Sequence, residues 1–192
     1  GFFFAPPAWK MRLMQAATCT LEHASDMDAT FSVDVWSAFA AGLEEDAAWR
    51  EWARAPWLPV GDAMPALAEM APMQRRRVER LGRAALQVAW RCQGDGAGEM
   101  PMVFASRHGD LDRTHRMLAE LARDEPLSPT QFGLSTHNAI AAQYSIARGL
   151  QGNYLAVSAV RATPEAAVTE ALGLLADGAR AVLVVVYDDM IP

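Results

Sequence analysis

The sequence predicts an α/β fold in which a mostly parallel sheet is covered by helices on both faces. Residues 181–187 form a continuous apolar run, largely β-branched, which is typical of a strand buried on both faces of a parallel sheet. Residues 138–147 and 163–177 carry apolar side chains at helical spacing, and the short apolar run 153–158 lies between them. This alternation of helices and strands predicts the fold class.

The composition indicates one folded domain. The chain has 192 residues, of which 52% are hydrophobic and 21% charged. Its formal net charge of −6 provides no general attraction to nucleic acid or to anionic membranes. No run approaches the roughly 20 apolar residues of a membrane-spanning helix. Cys19 and Cys92 lie far apart in sequence and lack metal-binding spacing, so we expect reduced thiols and no metal. We also expect no cofactor and a cytoplasmic location.

Further elements follow along the chain. Residues 31–35 alternate apolar and polar side chains, which predicts a first strand. Residues 72–92 have proline near the first turn and apolar side chains at helical spacing, which predicts one long helix. Residues 1–30 match no pattern, so we interpret them as an N-terminal arm without an assigned structure. Residues 31–192 then form the domain.

Residues 163–177 begin with a threonine and a proline, a favourable helix start. Val168, Leu172 and Leu175 recur at helical spacing and predict the buried face of this helix.

Two polar pairs are the candidate catalytic residues. Ser106 and His108 follow a short apolar strand, at the carboxyl end where α/β folds bind ligands. His137 and Asn138 stand at the start of a predicted helix, where asparagine is a good N-cap and histidine can bond local carbonyls. We favour a structural role for both pairs over a catalytic one. Two consecutive aspartates at 188–189 have no further ligand nearby in sequence, so we expect no metal there.

Residues 153–189, NYLAVSAVRATPEAAVTEALGLLADGARAVLVVVYDD, resemble the nucleophile region of the β-ketoacyl-acyl carrier protein synthases, which have the thiolase fold. In that family a strand runs into a tight turn that bears the nucleophilic cysteine, as in Ser-Ala-Cys. The corresponding tripeptide here is Ser158-Ala159-Val160. The resemblance therefore implies a thiolase-like half-domain with valine at the nucleophile position and no catalytic residue there.

The upstream segment 126–142, PLSPTQFGLSTHNAIAA, resembles short ketosynthase-like proteins of aryl-polyene and related type II pathways. The resemblance extends over residues 72–189, and more loosely from residue 31, and it covers the first half of a ketosynthase. The catalytic histidines of that family belong to its second half.

The resemblance implies a non-catalytic homologue, akin to a chain-length factor, that pairs with an active ketosynthase or with itself in fatty acid, polyketide or aryl-polyene synthesis. Two alternatives stay open. One is a small stand-alone enzyme acting on an acyl thioester through His137 or His108. The other is a truncated β-ketoacyl synthase.

Two binding surfaces follow from the resemblance. In the thiolase fold the strand before the nucleophile turn lies at the dimer boundary, and the matching contact residues are Asn153, Tyr154, Leu155 and Val157. Acyl carrier proteins are acidic, so basic residues of the helix at 72–92 are a candidate docking face, with a solvated face as the alternative. These residues are Arg75, Arg76 and Arg80.

Overall fold

The computed structural model of the chain describes residues 14–24, 29–94 and 100–189. The strands are β1 (Met14–Ala24), β2 (Ala29–Phe39), β3 (Met102–Ala105), β4 (Tyr154–Val157) and β5 (Val182–Tyr187). The helices are α1 (Asp46–Arg54), α2 (Pro72–Arg75), α3 (Arg80–Gln93), α4 (Leu111–Ala122), α5 (Pro129–Ser135), α6 (Ala139–Arg148) and α7 (Thr163–Ala176).

The five strands form one mixed sheet in the order β2-β1-β5-β3-β4. β3 pairs in parallel with β4 and with β5, as the sequence predicts. β1 pairs antiparallel with β2 and with β5, so only half of the pairings are parallel. The expected mostly parallel sheet is corrected in this respect: a short connection joins β1 directly to β2, and such a connection produces an antiparallel hairpin. The α/β class is confirmed.

β1 lies inside the segment that the sequence left without structure. It occupies the sheet position between β2 and β5, and its pairing with β2 shifts register between Thr18 and Cys19 and again between Leu21 and His23. Each shift interrupts the two-residue alternation by which a strand is recognised. Residues 1–13 and 25–28 of the predicted arm lie outside the described residues.

Helices cover both faces of the sheet, as predicted. On one face α3 and α6 enclose an aromatic core, in which the ring of Phe104 lies 6.0 Å from that of Tyr144 and 6.3 Å from that of Tyr187. On the other face α7 packs against β3 and β5 through Ala167 and Ala171. Because β3 pairs in parallel with both β4 and β5, the carboxyl ends of these three strands lie at the same end of the sheet.

The buried stripe of α7 is rotated by one residue from the predicted one. Ala167, Ala171 and Leu175 are buried, whereas Val168 and Leu172 are half-buried. Alanine is the smaller side chain, so this face lets the helix approach the β-branched surface of the sheet closely.

The predicted helix at 72–92 is divided into α2 and α3. Two arginines bond the carbonyl groups that the break leaves without helical partners: Arg83 Nε donates to Val78 O at 3.1 Å, and Arg113 Nη2 donates to Arg77 O at 3.5 Å. No glycine or proline lies at 76–79, so the sequence contains no local signal for this break.

Within the described ranges, no helix is long and apolar enough to cross a membrane.

Candidate functional site

The loops that follow β3 and β4 meet at the carboxyl edge of the sheet. Ser106 N donates to Val157 O at 3.0 Å, and Ser158 Oγ donates to Arg107 O at 3.1 Å. In a parallel pair the two carboxyl ends lie side by side, and this is where α/β folds bind ligands. The structure therefore places Ser106, His108 and the turn containing Val160 in one region.

Val160 lies in the turn between β4 and α7, and its side chain is 73% exposed. Thr163 holds this turn: its Oγ1 accepts from Ala159 N at 3.1 Å and donates to Ala159 O at 2.8 Å. The position is thus presented at the surface of a well-defined turn at the start of a helix. A valine side chain carries no nucleophilic atom.

The loop after β3 is held by the carboxylate of Asp188, which directly follows β5. Oδ1 accepts from Ser106 Oγ at 2.9 Å and from His108 N at 3.1 Å, and Oδ2 accepts from Arg107 N at 3.0 Å. No local pattern in the sequence identifies Asp188 as a site residue. The sequence does place Asp188 directly after a predicted buried strand. A residue at that position lies at the same end of the sheet as the loop after β3.

His137 lies beside this loop. Tyr187 Oη donates to His137 O at 3.2 Å, and a Cβ atom added at Gly109 would lie 3.3 Å from the imidazole of His137. Gly109 has φ +64°, a conformation that glycine adopts without strain. The two candidate pairs are therefore brought together, with His137 exposed and His108 half-buried.

Asn138 occupies the N-cap position of α6, but its side chain makes no capping hydrogen bond. Its backbone has φ −86° and ψ −4°, which is helical, whereas a capping side chain needs an extended backbone at this position. The expectation that Asn138 caps the helix is therefore wrong, although the helix begins where predicted.

The strand predicted to bind a partner is the last strand of the sheet. Asn153 O accepts from Met102 N of β3 at 3.1 Å, and Val157 O accepts from Ser106 N, just after β3, at 3.0 Å. Because backbone direction alternates along a strand, Tyr154 and Ala156 direct their backbone groups away from β3, to the outer edge. No other strand among the described residues pairs with that edge. Leu155 is exposed, whereas Tyr154 and Val157 pack against the two cores.

The three candidate docking arginines have different environments. Arg80 forms an ion pair with Asp189 at 2.5 Å, and Arg75 Nη1 donates to Leu67 O at 3.1 Å. Arg76 is exposed and makes no side-chain hydrogen bond or ion pair to a described residue. Arg77, which sequence analysis did not single out, is exposed beside it.

The two cysteines are free and buried. Burial raises the pKa of the Cys92 thiol to about 12, and it also raises the pKa of Cys19. Both thiols are therefore protonated at neutral pH and are poor nucleophiles. Among the described residues, no group of three histidine, cysteine or acidic side chains could hold a metal ion.

A mixed α/β sheet with helices on both faces, and a turn into a helix at its carboxyl edge, defines a thiolase-like ketosynthase half-domain. Residues 49–192 match the family model described as beta-ketoacyl synthase, N-terminal domain, and the chain belongs to that family. The resemblance seen in the sequence is thereby confirmed.

The solved structures that are similar to this chain include two that bear on its function. One is a ketosynthase (ApeO) in complex with its chain length factor (ApeC) from Xenorhabdus doucetiae, with TM-score 0.71, 25% identity, and coverage of 95% of this chain and 70% of that chain. The other is a beta-ketoacyl synthase from Burkholderia phymatum STM815, with TM-score 0.54, 15% identity, and coverage of 88% and 44%; it shows the fold alone. No curated protein matches the chain significantly.

Proposed function

We propose that this chain is a non-catalytic ketosynthase homologue, akin to a chain-length factor, which pairs with an active β-ketoacyl-acyl carrier protein synthase. The observation that carries the proposal is Val160. It stands where the resemblance places the nucleophilic cysteine, in an exposed turn at the start of α7. A ketosynthase needs a thiolate at this point to accept the acyl group.

Among the residues that the structure describes, we identify no thiolate or activated hydroxyl group in place of the missing cysteine. The hydroxyl group of Ser158 is hydrogen-bonded to Arg107 O. The thiols of Cys19 and Cys92 are buried, and their raised pKa values keep them protonated. The competing function is a stand-alone enzyme acting through His137, which is exposed at the same edge, or through His108.

The partner surface that we propose is the outer edge of β4, centred on Tyr154 and Ala156, with Leu155 as an exposed apolar contact. A sheet edge with unpaired backbone groups favours pairing with another strand. The ApeO–ApeC complex, a ketosynthase bound to its chain length factor, is a precedent for such a pair of chains. The occupant is then a ketosynthase strand, and a second copy of this chain is the alternative. Obligate interfaces of this kind bury on the order of 2,000 Å² or more.

The carrier-protein surface that we propose is smaller than the arginine-rich sequence suggests. Arg80 and Arg75 have internal partners, whereas Arg76 and Arg77, between α2 and α3, are exposed cations. Met73 is 80% exposed on α2 and adds an apolar contact. An acidic carrier protein complements this basic patch.

We place the complex in the cytoplasm, within a fatty acid, polyketide or aryl-polyene pathway. The support is the family membership and the free state of both cysteines.

Mass spectrometry tests the absence of catalysis. After incubation with an acyl carrier protein thioester, the intact mass of the chain is expected to stay unchanged. An acyl adduct on any side chain would contradict the proposal and favour the stand-alone enzyme. Val160→Cys is expected to create an exposed thiol that iodoacetamide labels in the folded protein, whereas the wild-type thiols stay unlabelled.

A further inference from the structure

The loop after β3 directs two successive backbone N–H groups, those of Arg107 and His108, and the hydroxyl group of Ser106 towards the carboxylate of Asp188. Arg107 N donates to both oxygens of Asp188, at 3.1 and 3.0 Å, and His108 N donates to Oδ1 at 3.1 Å. Gly109 N donates at 2.7 Å to Ser106 Oγ, which in turn donates to the same Oδ1 at 2.9 Å. Successive N–H groups arranged in this way form a concave anion-binding site, or nest.

Buried residues hold both the donors and the acceptor of this cluster in place. Ser106 is only 1% exposed, and its hydroxyl both accepts and donates within the cluster. Asp188 is tied to the core by its neighbour Tyr187, which is also 1% exposed and belongs to β5. The acceptor therefore directly follows β5, and the donors lie in the loop after the adjacent strand, β3. Hydrogen bonds to a carboxylate are roughly twice as strong as those between neutral groups.

We propose that the loop 106–109 is a binding site for a small carboxylate or similar oxyanion, and that the Asp188 side chain is its resident ligand. The donors lie at the carboxyl edge of the sheet, where α/β folds place substrates. Because the chain's own carboxylate occupies them, they are not available to an oxyanion of a bound substrate. Asp188 also positions His108 and the loop against which His137 lies.

This assignment is independent of partner binding and of Val160. A negative result for this anion site would therefore leave the proposed chain-length-factor role unaffected, and the reverse also holds. If it is correct, removal of the carboxylate leaves an empty site that a free anion of the same chemistry can fill.

The test is chemical rescue of Asp188→Ala by sodium formate, with thermal unfolding as the measurement. The substitution is expected to lower Tm by about 5 °C or more, because several hydrogen bonds to a charged group are lost. Formate at about 100 mM is expected to recover at least about half of that loss in a saturable manner, relative to sodium chloride at equal ionic strength. Wild-type protein should show no such difference, because its site is filled.

Two controls make the result specific. Asp177→Ala removes the same charge from an exposed position at the end of α7 and should show no response to formate. Ser106→Ala combined with Asp188→Ala removes one donor and should require a several-fold higher formate concentration. Equal recovery in formate and chloride, or the same formate response in Asp177→Ala, overturns the proposal.

If Asp188→Ala does not fold, its refolding yield in formate is compared with that in chloride, and equal yields overturn the proposal.

Asp188→Asn keeps the volume and one acceptor oxygen. It is expected to fold with a smaller loss of Tm and with no response to formate. If the Tm of Asp188→Asn equals that of the wild type, the negative charge of Asp188 has no role at this site, and the proposal is overturned.

Discussion

The guanidinium group of Arg80 on α3 lies 2.5 Å from the carboxylate of Asp189, just beyond β5. Two further carboxylates, those of Asp62 and Asp112, lie 3.7 Å from the same guanidinium. Arg80 thus joins the helix layer to the carboxyl edge of the sheet, and it belongs to the structure rather than to a free docking surface.

Arg80→Ala is expected to lower the free energy of unfolding by about 1–3 kcal/mol, because the ion pair between Arg80 and the partly buried carboxylate of Asp189 is lost. Arg76→Ala, at an exposed position on the same stretch, should change it by about 0.5 kcal/mol or less. Urea denaturation of both variants checks this. Equal effects at the two positions would contradict the division between internal and exposed arginines.

Carrier-protein binding should depend on Arg76 and Arg77. Reversal of both to glutamate is expected to weaken binding of an acidic carrier protein and to flatten its dependence on salt, because screened charge attraction is lost. The matched control is Arg50→Glu with Arg54→Glu, which makes the same change of net charge on exposed α1 residues. Affinity would be measured by calorimetry at several salt concentrations. Unchanged affinity at low salt would show that Arg76 and Arg77 are solvated side chains that do not bind the carrier protein.

The outer edge of β4 is tested at Ala156, whose N–H points away from β3. Ala156→Pro removes this donor and leaves the hydrogen bonds between β3 and β4 in place, since proline is tolerated on edge strands. We expect the variant to fold and to lose its complex with a ketosynthase from the same organism. Ala156→Val keeps the N–H group and should retain the complex.

Size-exclusion chromatography after co-expression measures the outcome. A folded Ala156→Pro protein that still elutes as an intact heterodimer would remove β4 from the interface. If the variant loses both the heterodimer and any homodimer, the same edge of β4 mediates both contacts.

Stability should fall in alkaline solution. Burial raises the pKa of Cys92 to about 12 and raises the pKa of Tyr187, so the folded chain keeps protons that the unfolded chain releases. The ordinary thiol pKa is about 8.5. Stability is therefore fully present below about pH 8.5 and is lost as pH rises towards about 12, by up to about 1.4 kcal/mol per pH unit for Cys92.

Urea denaturation between about pH 8 and pH 11 measures this slope. Cys92→Ala lowers stability at every pH through the cavity it leaves, but its curve should be flatter than that of the wild type. Identical slopes would show that the Cys92 thiol does not contribute to the alkaline loss.

Several features of the site were accessible from local patterns. The position of Val160 follows from the Ser-Ala-Val turn between an apolar strand and a helix that begins with Thr163-Pro164. The edge position of β4 was anticipated through the resemblance. Asp188 was missed because its partners, Ser106 and Arg107, are some eighty residues away in the chain.

The sequence by itself determined the class of the fold, the places of β3, β4, β5, α6 and α7, and the presence of valine at position 160, where the resemblance expects a cysteine. These are local properties: hydrophobic period, turn residues and a short motif are all read within a few residues. Only the tertiary structure decided that β1 enters the sheet between β2 and β5, that the helix at 72–92 breaks, and which arginines are exposed. Those features depend on hydrogen bonds, ion pairs and packing between distant segments, which no local pattern records.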